Sequence, residues 1–299
     1  MKITMTNLRK MMEAEGYITS GEIITTVFLA LKLKKPLLVT GPPGVGKTEL
    51  AKVLAAIFNT ELIRLQCYEG LDENKALYEW NYQKQLLQIQ LSSAQNQDIS
   101  LQKDLFSSEY LLDRPLLKAL RSEEQAVLLI DEIDKTDEEF EAFLFEVLSD
   151  FQVSIPEYGT VKACKVPVVI LTSNGERELS DGLKRRCAFL NIGYPSVEKE
   201  AKIISAKVPG ISQKLAMQVA AAVHVLRKEL EVKKQPAISE SIDWARALMA
   251  LGHEELNPSA INSTTGMLYK NQEDIAKFKE EMGAEKLLSK THTQCKCCG

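Results

Sequence analysis

The stretch PLLVTGPPGVGKTELAKVLAAIF, residues 36–58, constrains this chain more than any other. An apolar run, a glycine-rich turn and a segment with helical spacing follow one another, which reads as a short buried strand, a loop and a helix. The turn matches G-x-x-x-x-G-K-[ST] through Gly41, Gly46, Lys47 and Thr48. Glycines let backbone N–H groups turn inward and close on phosphate oxygens. A helix starting near Lys47 adds the positive end of its dipole. Gly41, Pro42, Pro43, Gly44, Val45, Gly46, Lys47, Thr48 and Glu49 therefore form a candidate phosphate-binding segment. In such a segment the lysine reaches the β- and γ-phosphates and the threonine hydroxyl binds Mg²⁺. The competing explanation, a chance match in a loop, is disfavoured because strand before and helix after is the setting the motif requires.

The neighbouring sequence extends the alternation. Residues 17–33 show apolar positions at helical spacing, with Ser20 as a candidate cap, and ELIRLQC (61–67) reads as a second strand. AVLLIDEID (126–134) and VPVVILTSN (166–174) are further buried strands, and FQVSIPEYGTVKAC reads as a hairpin around residues 157–159. Helix and strand in alternation indicate a parallel sheet with helices on its faces. Residues 71–122 are less regular. From Ser196 the pattern becomes helical, with segments at 197–207, 211–231 and 239–252. The expected organisation is an α/β nucleotide domain with an N-terminal helix over 1–196, a smaller all-helical domain over 197–256, and a polar extension over 257–299 that ends in a mobile tail.

LLIDEID places Asp131 and Glu132 just past a strand's apolar residues, at the end of the sheet where ligands sit in open α/β folds. With a phosphate loop upstream, Asp131 suits the Mg²⁺ shell together with Thr48, and Glu132 suits polarisation of an attacking water. The bland reading is a solvated acidic turn. Asp134 reads as structural or as a helix cap. Asn174 closes another strand, where it can orient a water or touch the γ-phosphate; the bland reading is a strand-end turn.

Composition narrows the classes. The 299 residues are 45% hydrophobic and 26% charged with a net charge of −4, which fits a globular protein and offers no general basic surplus for nucleic acid. No apolar stretch is long enough for a membrane span, and the first residues lack the apolar segment of a signal peptide. The cysteines do not suggest a disulfide framework, so the cytoplasm is the expected compartment. His292, Cys295, Cys297 and Cys298 could bind metal, but their tight spacing favours an incidental tail. The aromatics Tyr68, Tyr78, Trp80 and Tyr82 read either as loop core or as a client-facing surface.

GPPGVGKT, LLIDEID, ILTSN and LKRRC, followed by a helical domain, resemble an AAA+ ATPase. RLQCYEGLDENKALYEWNY, FEAFLFEVLSDFQVSIPEYGT and LSDGLKRRCAFLNIGYPS are similar to the MoxR family, in the branch that includes CoxD. The resemblance covers about residues 15–255. It implies a P-loop αβα parallel-sheet domain with a helical lid, Mg-dependent ATP hydrolysis and a homo-oligomeric, hexameric ring. It also implies a chaperone-like role toward a client protein, with a von Willebrand factor A domain protein as a partner and metalloenzyme maturation as a setting. Asn174 then matches sensor 1, and Arg186, or its neighbour Arg185, the arginine finger that reaches the next subunit. One departure stands out: where an arginine usually opens a lid helix, this chain has Ser239, Glu240 and Ser241, with Arg246 about a turn further on.

Other readings stay open. A nucleic-acid-directed motor on the same core is disfavoured by the acidic balance. A small-molecule kinase is less expected with an Asp-Glu pair, and a nucleotide-gated scaffold with little hydrolysis is kept by the missing lid arginine.

Overall fold

The computed structural model describes residues 3–94 and 105–296. The chain divides into two compact units, one of residues 1–9, 21–40 and 47–191, the other of residues 10–20, 41–46 and 192–299. The chain begins with helices α1 (Met5–Ala14) and α2 (Gly21–Leu33), strand β1 (Leu37–Thr40), helix α3 (Lys47–Phe58) and strand β2 (Leu62–Gln66). An excursion follows: α4 (Glu73–Ala76), β3 (Tyr78–Trp80), α5 (Tyr82–Ala94) and β4 (Leu111–Asp113). Then come α6 (Pro115–Arg121), β5 (Val127–Asp131), α7 (Glu138–Asp150), the hairpin β6 (Gln152–Ile155) and β7 (Gly159–Lys162), β8 (Val168–Ser173), α8 (Asp181–Arg186) and β9 (Ala188–Asn191).

Strands β2, β5, β8, β1 and β9, in that order, form a five-stranded sheet, and every pairing in it is parallel. All of β5 is buried, as expected for a central strand covered on both faces. Alternate residues feed opposite layers. Leu38, Ile63, Leu65, Leu128, Ile130, Val169 and Leu171 join a core with α6 and α7, whereas α3 packs on β2, β5 and β8. The fold is thus an αβα sandwich. Strand β9 was not among the strands expected from sequence; it is four residues at the sheet edge, with Phe189 exposed.

The described parts of the irregular region, residues 71–94 and 105–122, are arranged around the antiparallel pair β3–β4. Tyr78 and Trp80 are buried, and Trp80 meets Phe106 edge-on at 5.2 Å. These two aromatics fill core, while Tyr68 and Tyr82 are exposed. Helix α5 also exposes Leu86, Leu87, Ile89 and Leu91.

The second unit contains α9 (Val197–Lys207), α10 (Gln213–Glu229), α11 (Ile238–Ala250), α12 (Pro258–Leu268), α13 (Gln272–Lys277), a π-helical turn (Phe278–Met282) and α14 (Gly283–Lys296). Ser196 and Ser212 cap α9 and α10 by accepting from the Lys199 and Leu215 amides at 3.3 and 3.1 Å. The segment beyond 256, expected from its composition as a polar extension, is helical through Lys296 and contributes Leu268, Tyr269, Phe278 and Leu287 to the core of this unit. Within that core Glu200 is fully buried. It accepts two bonds from Arg227, at 2.6 and 2.8 Å, and one from the Ser241 hydroxyl at 2.6 Å. Cys297 and Cys298 of the tail lie outside the described residues.

Candidate functional site

The phosphate-loop candidates begin with backbone geometry that requires glycine. Gly41, Gly44 and Gly46 have φ of 142°, 72° and 96°. A Cβ at Gly41 would sit 2.0 Å from the Ile192 carbonyl oxygen, and one at Gly44 would sit 2.6 Å from both Ala237 Cβ and Ser239 Oγ. Pro42, Pro43 and Val45 complete the turn, and the chain then enters α3 at Lys47 and Thr48. Glu49, in the first turn of α3, pairs with Lys52 at 3.5 Å.

Lys47 is buried and donates to Asn174 Oδ1 at 2.7 Å. Burial lowers its pKa, while the charges of Asp134, Asp131 and Glu132 act in the opposite direction. Thr48 Oγ1 donates to Asp131 Oδ1 at 3.1 Å, and Thr172 Oγ1 donates to the same oxygen at 2.5 Å. The Thr172 hydroxyl in turn accepts from the Glu132 amide at 2.9 Å. Glu132 itself has φ 60° and ψ 50°, a left-handed turn that costs a non-glycine residue roughly 1–3 kcal/mol. That turn aims its carboxylate toward Lys135 at 2.8 Å, Gln66 Nε2 at 3.0 Å and Asn174 Nδ2 at 3.5 Å. Lys47, Thr48, Asp131, Glu132 and Asn174 thus meet at the C-terminal ends of β5 and β8 and the first turn of α3.

Three participants were not assigned to this site from sequence. Asp134 does not cap α7, whose N-cap is Asp137, accepting from the Phe140 amide at 2.8 Å. Instead Asp134 Oδ2 accepts from the amides of Asn174 and Glu176 at 3.0 and 2.9 Å, which fixes the loop carrying Asn174. Arg64 and Gln66 point from the exposed side of β2, and Arg64 Nη2 donates to Asp131 Oδ2 at 2.5 Å. The alternation Arg-Leu-Gln in a strand next to the one ending in Asp-Glu is the sequence signal that marks them.

The two candidate finger arginines end α8 and differ sharply. Arg186 donates to Ser149 Oγ at 2.8 Å and to the Gly182 carbonyl at 3.1 Å, and lies over the Phe145 ring. Arg185 is exposed. Helix α8 is anchored by the fully buried Glu141, which accepts from the Ser180 amide at 2.9 Å and pairs with Arg177. In the second unit, Arg246 pairs with Asp243 and reaches the Lys207 carbonyl, each at 3.3 Å. Ser239 donates to Glu240, whose carboxylate accepts from the Ala237 amide at the start of α11.

Among the described residues no cluster of three or more His, Cys, Asp or Glu is arranged to cage a metal ion. Thr48 and Asp131 offer hard oxygen donors side by side, which fits a Mg²⁺ ion that completes its shell with water and substrate phosphates rather than a protein cage.

A glycine loop running into α3, with an acidic pair and a polar residue on neighbouring strand ends, defines a P-loop nucleotide-binding domain. Residues 36–187, about half of the chain, match the AAA domain (dynein-related subfamily), and the chain belongs to that family. It is 29% identical over 243 residues to the uncharacterized protein SH1500 of Staphylococcus haemolyticus, covering 79% of this chain and 84% of the relative. It is 32% identical over 148 residues to the chaperone protein ClpB of Bacillus cereus, covering 48% of this chain but 14% of ClpB. Among solved structures, the Thermotoga maritima RuvB Holliday junction branch migration motor aligns with a TM-score of 0.48 at 18% identity, covering 88% of this chain and 77% of that one. Among the described residues no helix is long and apolar enough to cross a membrane.

Proposed function

We propose that this protein hydrolyses ATP with Mg²⁺ at sites completed between subunits of a homo-oligomeric, hexameric ring, and that turnover remodels or matures a client protein. The observation that carries the reading is the joined set Lys47–Asn174, Thr48–Asp131 and Asn174–Glu132. Gly41 to Thr48 would cradle the phosphates, and Thr48 and Asp131 would hold the Mg²⁺, which neutralises charge on the phosphoryl oxygens. Glu132 accepts a proton from the attacking water, and Asn174 orients that water against the γ-phosphate. Membership of the AAA family supports nucleotide-hydrolysing activity.

Arg185 and Arg186 serve the neighbouring subunit's site. A guanidinium there offsets charge developing on the transferred phosphoryl group and is worth roughly 10³–10⁵ in rate. Arg186 is held back by Ser149 and the Phe145 ring at the end of α8, which favours its exposed neighbour Arg185 as the residue that reaches across. A protein client rather than nucleic acid is supported by the exposed apolar side chains of α5 and the net charge of −4. The MoxR-like, CoxD-like sequence features favour a von Willebrand factor A domain protein as partner and a cytoplasmic setting.

The test is ATP turnover per subunit as protein concentration rises, with Mg²⁺ present. A rise from near zero to a plateau supports sites shared between subunits. A flat, nonzero rate means each chain hydrolyses alone and removes the ring mechanism. The second reading, a nucleotide-gated scaffold, is favoured by one observation: the Glu132 carboxylate is already engaged by Gln66 and Lys135. Absent turnover at every concentration, with ATP still bound, would select it.

A further inference from the structure

Asp131 is almost fully buried, with a side chain 4% exposed, whereas its ionic partner Arg64 is 52% exposed. The two carboxylate oxygens are used differently. Oδ1 receives the shorter bonds from Thr172 and Thr48, at 2.5 and 3.1 Å. Oδ2 receives Arg64 at 2.5 Å and only a 3.4 Å approach from Thr48. The same Arg64 nitrogen donates to Gln66 Oε1, which turns the Gln66 amide nitrogen toward Glu132. Arg64 sits on an edge strand, so its long side chain has solvent to move into.

A buried carboxylate needs a counter-charge. Arg64 supplies one positive charge from a position that costs little to leave, because a half-exposed ion pair is weak. A divalent ion bound by the same carboxylate supplies two and repels the guanidinium at that distance. We propose that Arg64 is an exchangeable counter-cation of Asp131, which a divalent metal arriving with nucleotide must displace. This rests on the reading that Asp131 binds the metal. Arg64 is a positioning residue in this scheme: it holds the carboxylate in place and sets a threshold for the metal.

The test is Mn²⁺ affinity of the full-length protein with a non-hydrolysable ATP analogue, followed by the electron paramagnetic resonance signal of free Mn²⁺. Protein is kept in excess so that all nucleotide is bound. Arg64→Met and Arg64→Gln should each tighten Mn²⁺ binding about twofold to fivefold, the range expected for removing one competing, half-exposed charge. Arg64→Lys, which keeps a cation, should stay near the parent value. Damage to the site loosens metal, so tightening separates competition from a merely structural role. Unchanged or weaker Mn²⁺ binding in both neutral variants, with thermal unfolding intact, overturns the proposal. Asp131→Asn separates the two levels. If it weakens Mn²⁺ binding while the Arg64 variants do not tighten it, only the exchange is wrong. If it leaves Mn²⁺ affinity unchanged, Asp131 is not the metal ligand and both readings fall.

Discussion

Two buried carboxylates in this protein are matched by arginines in opposite ways. Glu200, in the helical unit, is matched by an arginine whose side chain is 7% exposed, and Arg227 also donates to the Pro236 carbonyl and lies over the Tyr194 ring at 4.3 Å. Asp131, at the end of β5, is matched by an arginine that is 52% exposed. The first pair is locked on every side and acts as structure. The second is held at one end only, as suits a carboxylate that has to change partners. Chemically the pairs are alike; burial of the cation decides which one can be exchanged.

The comparison can be broken most forcefully at Arg227. Arg227→Met leaves Glu200 charged and buried without its partner, and thermal or urea unfolding should show a loss of about 3–5 kcal/mol. Replacing both, as Glu200→Met with Arg227→Met, should return most of that loss, because two apolar side chains need no compensation. If the single variant unfolds like the parent, Glu200 is not held as a buried ion.

Burial of a thiol gives the next contrast. Cys67, whose amide donates to the Asp131 carbonyl, has its thiol raised from 9.0 to about 12 by burial and then by the charge of Asp131. Burial raises Cys187 similarly, to about 12. At pH 8 each should carry about a thousandfold less thiolate than an unburied thiol. Among these two and Cys164, alkylation of the folded protein followed by mass spectrometry should therefore label exposed Cys164 and leave Cys67 and Cys187 unmodified until unfolding. Early labelling of Cys67 would mean that the end of β2 opens readily.

A smaller effect belongs to Ser241, whose hydroxyl is the third donor on Glu200. Ser241→Ala should destabilise by about 1–2 kcal/mol in the same unfolding measurement. The smallest belongs to Arg64: replacement by Met leaves Asp131 with the Thr48 and Thr172 hydroxyls and the nearby charge of Lys47, so stability should change by less than about 1 kcal/mol. A loss near that of Arg227→Met would show that both pairs are structural and erase the distinction.

How much of this was legible depends on how local each signal is. Strands β1, β5 and β8 read directly from apolar runs and β2 from the alternating LIRLQ, while α9, α10 and α11 read from apolar spacing; serines cap the first two. The glycine loop and the Asp131–Glu132 pair are fixed by spacing along the chain. Strand β9 is short, and its pairing with β1 replaces the pattern a longer strand would show. Residues 257–296 hide their packing because Leu268, Tyr269, Phe278 and Leu287 are spread through polar sequence and brought into line by a π-helical turn. The contacts of Arg64, Gln66 and Asp134 join residues 40 to 67 positions apart, and nothing local announces which partner each will meet.

The order of strands also sets a schedule. β1 lies between β8 and β9, with Leu37 opposite Ile170 on one side and Ala188 on the other. During synthesis at about 5–20 residues per second, the ribosome needs roughly 8–30 s after making Leu37 to deliver its last neighbour. Until β8 is made, the strand that leads into the glycine loop has both hydrogen-bonding edges bare, and until β9 follows it still has one. Nucleotide, however abundant, meets a finished binding loop only after the fifth strand has closed the sheet.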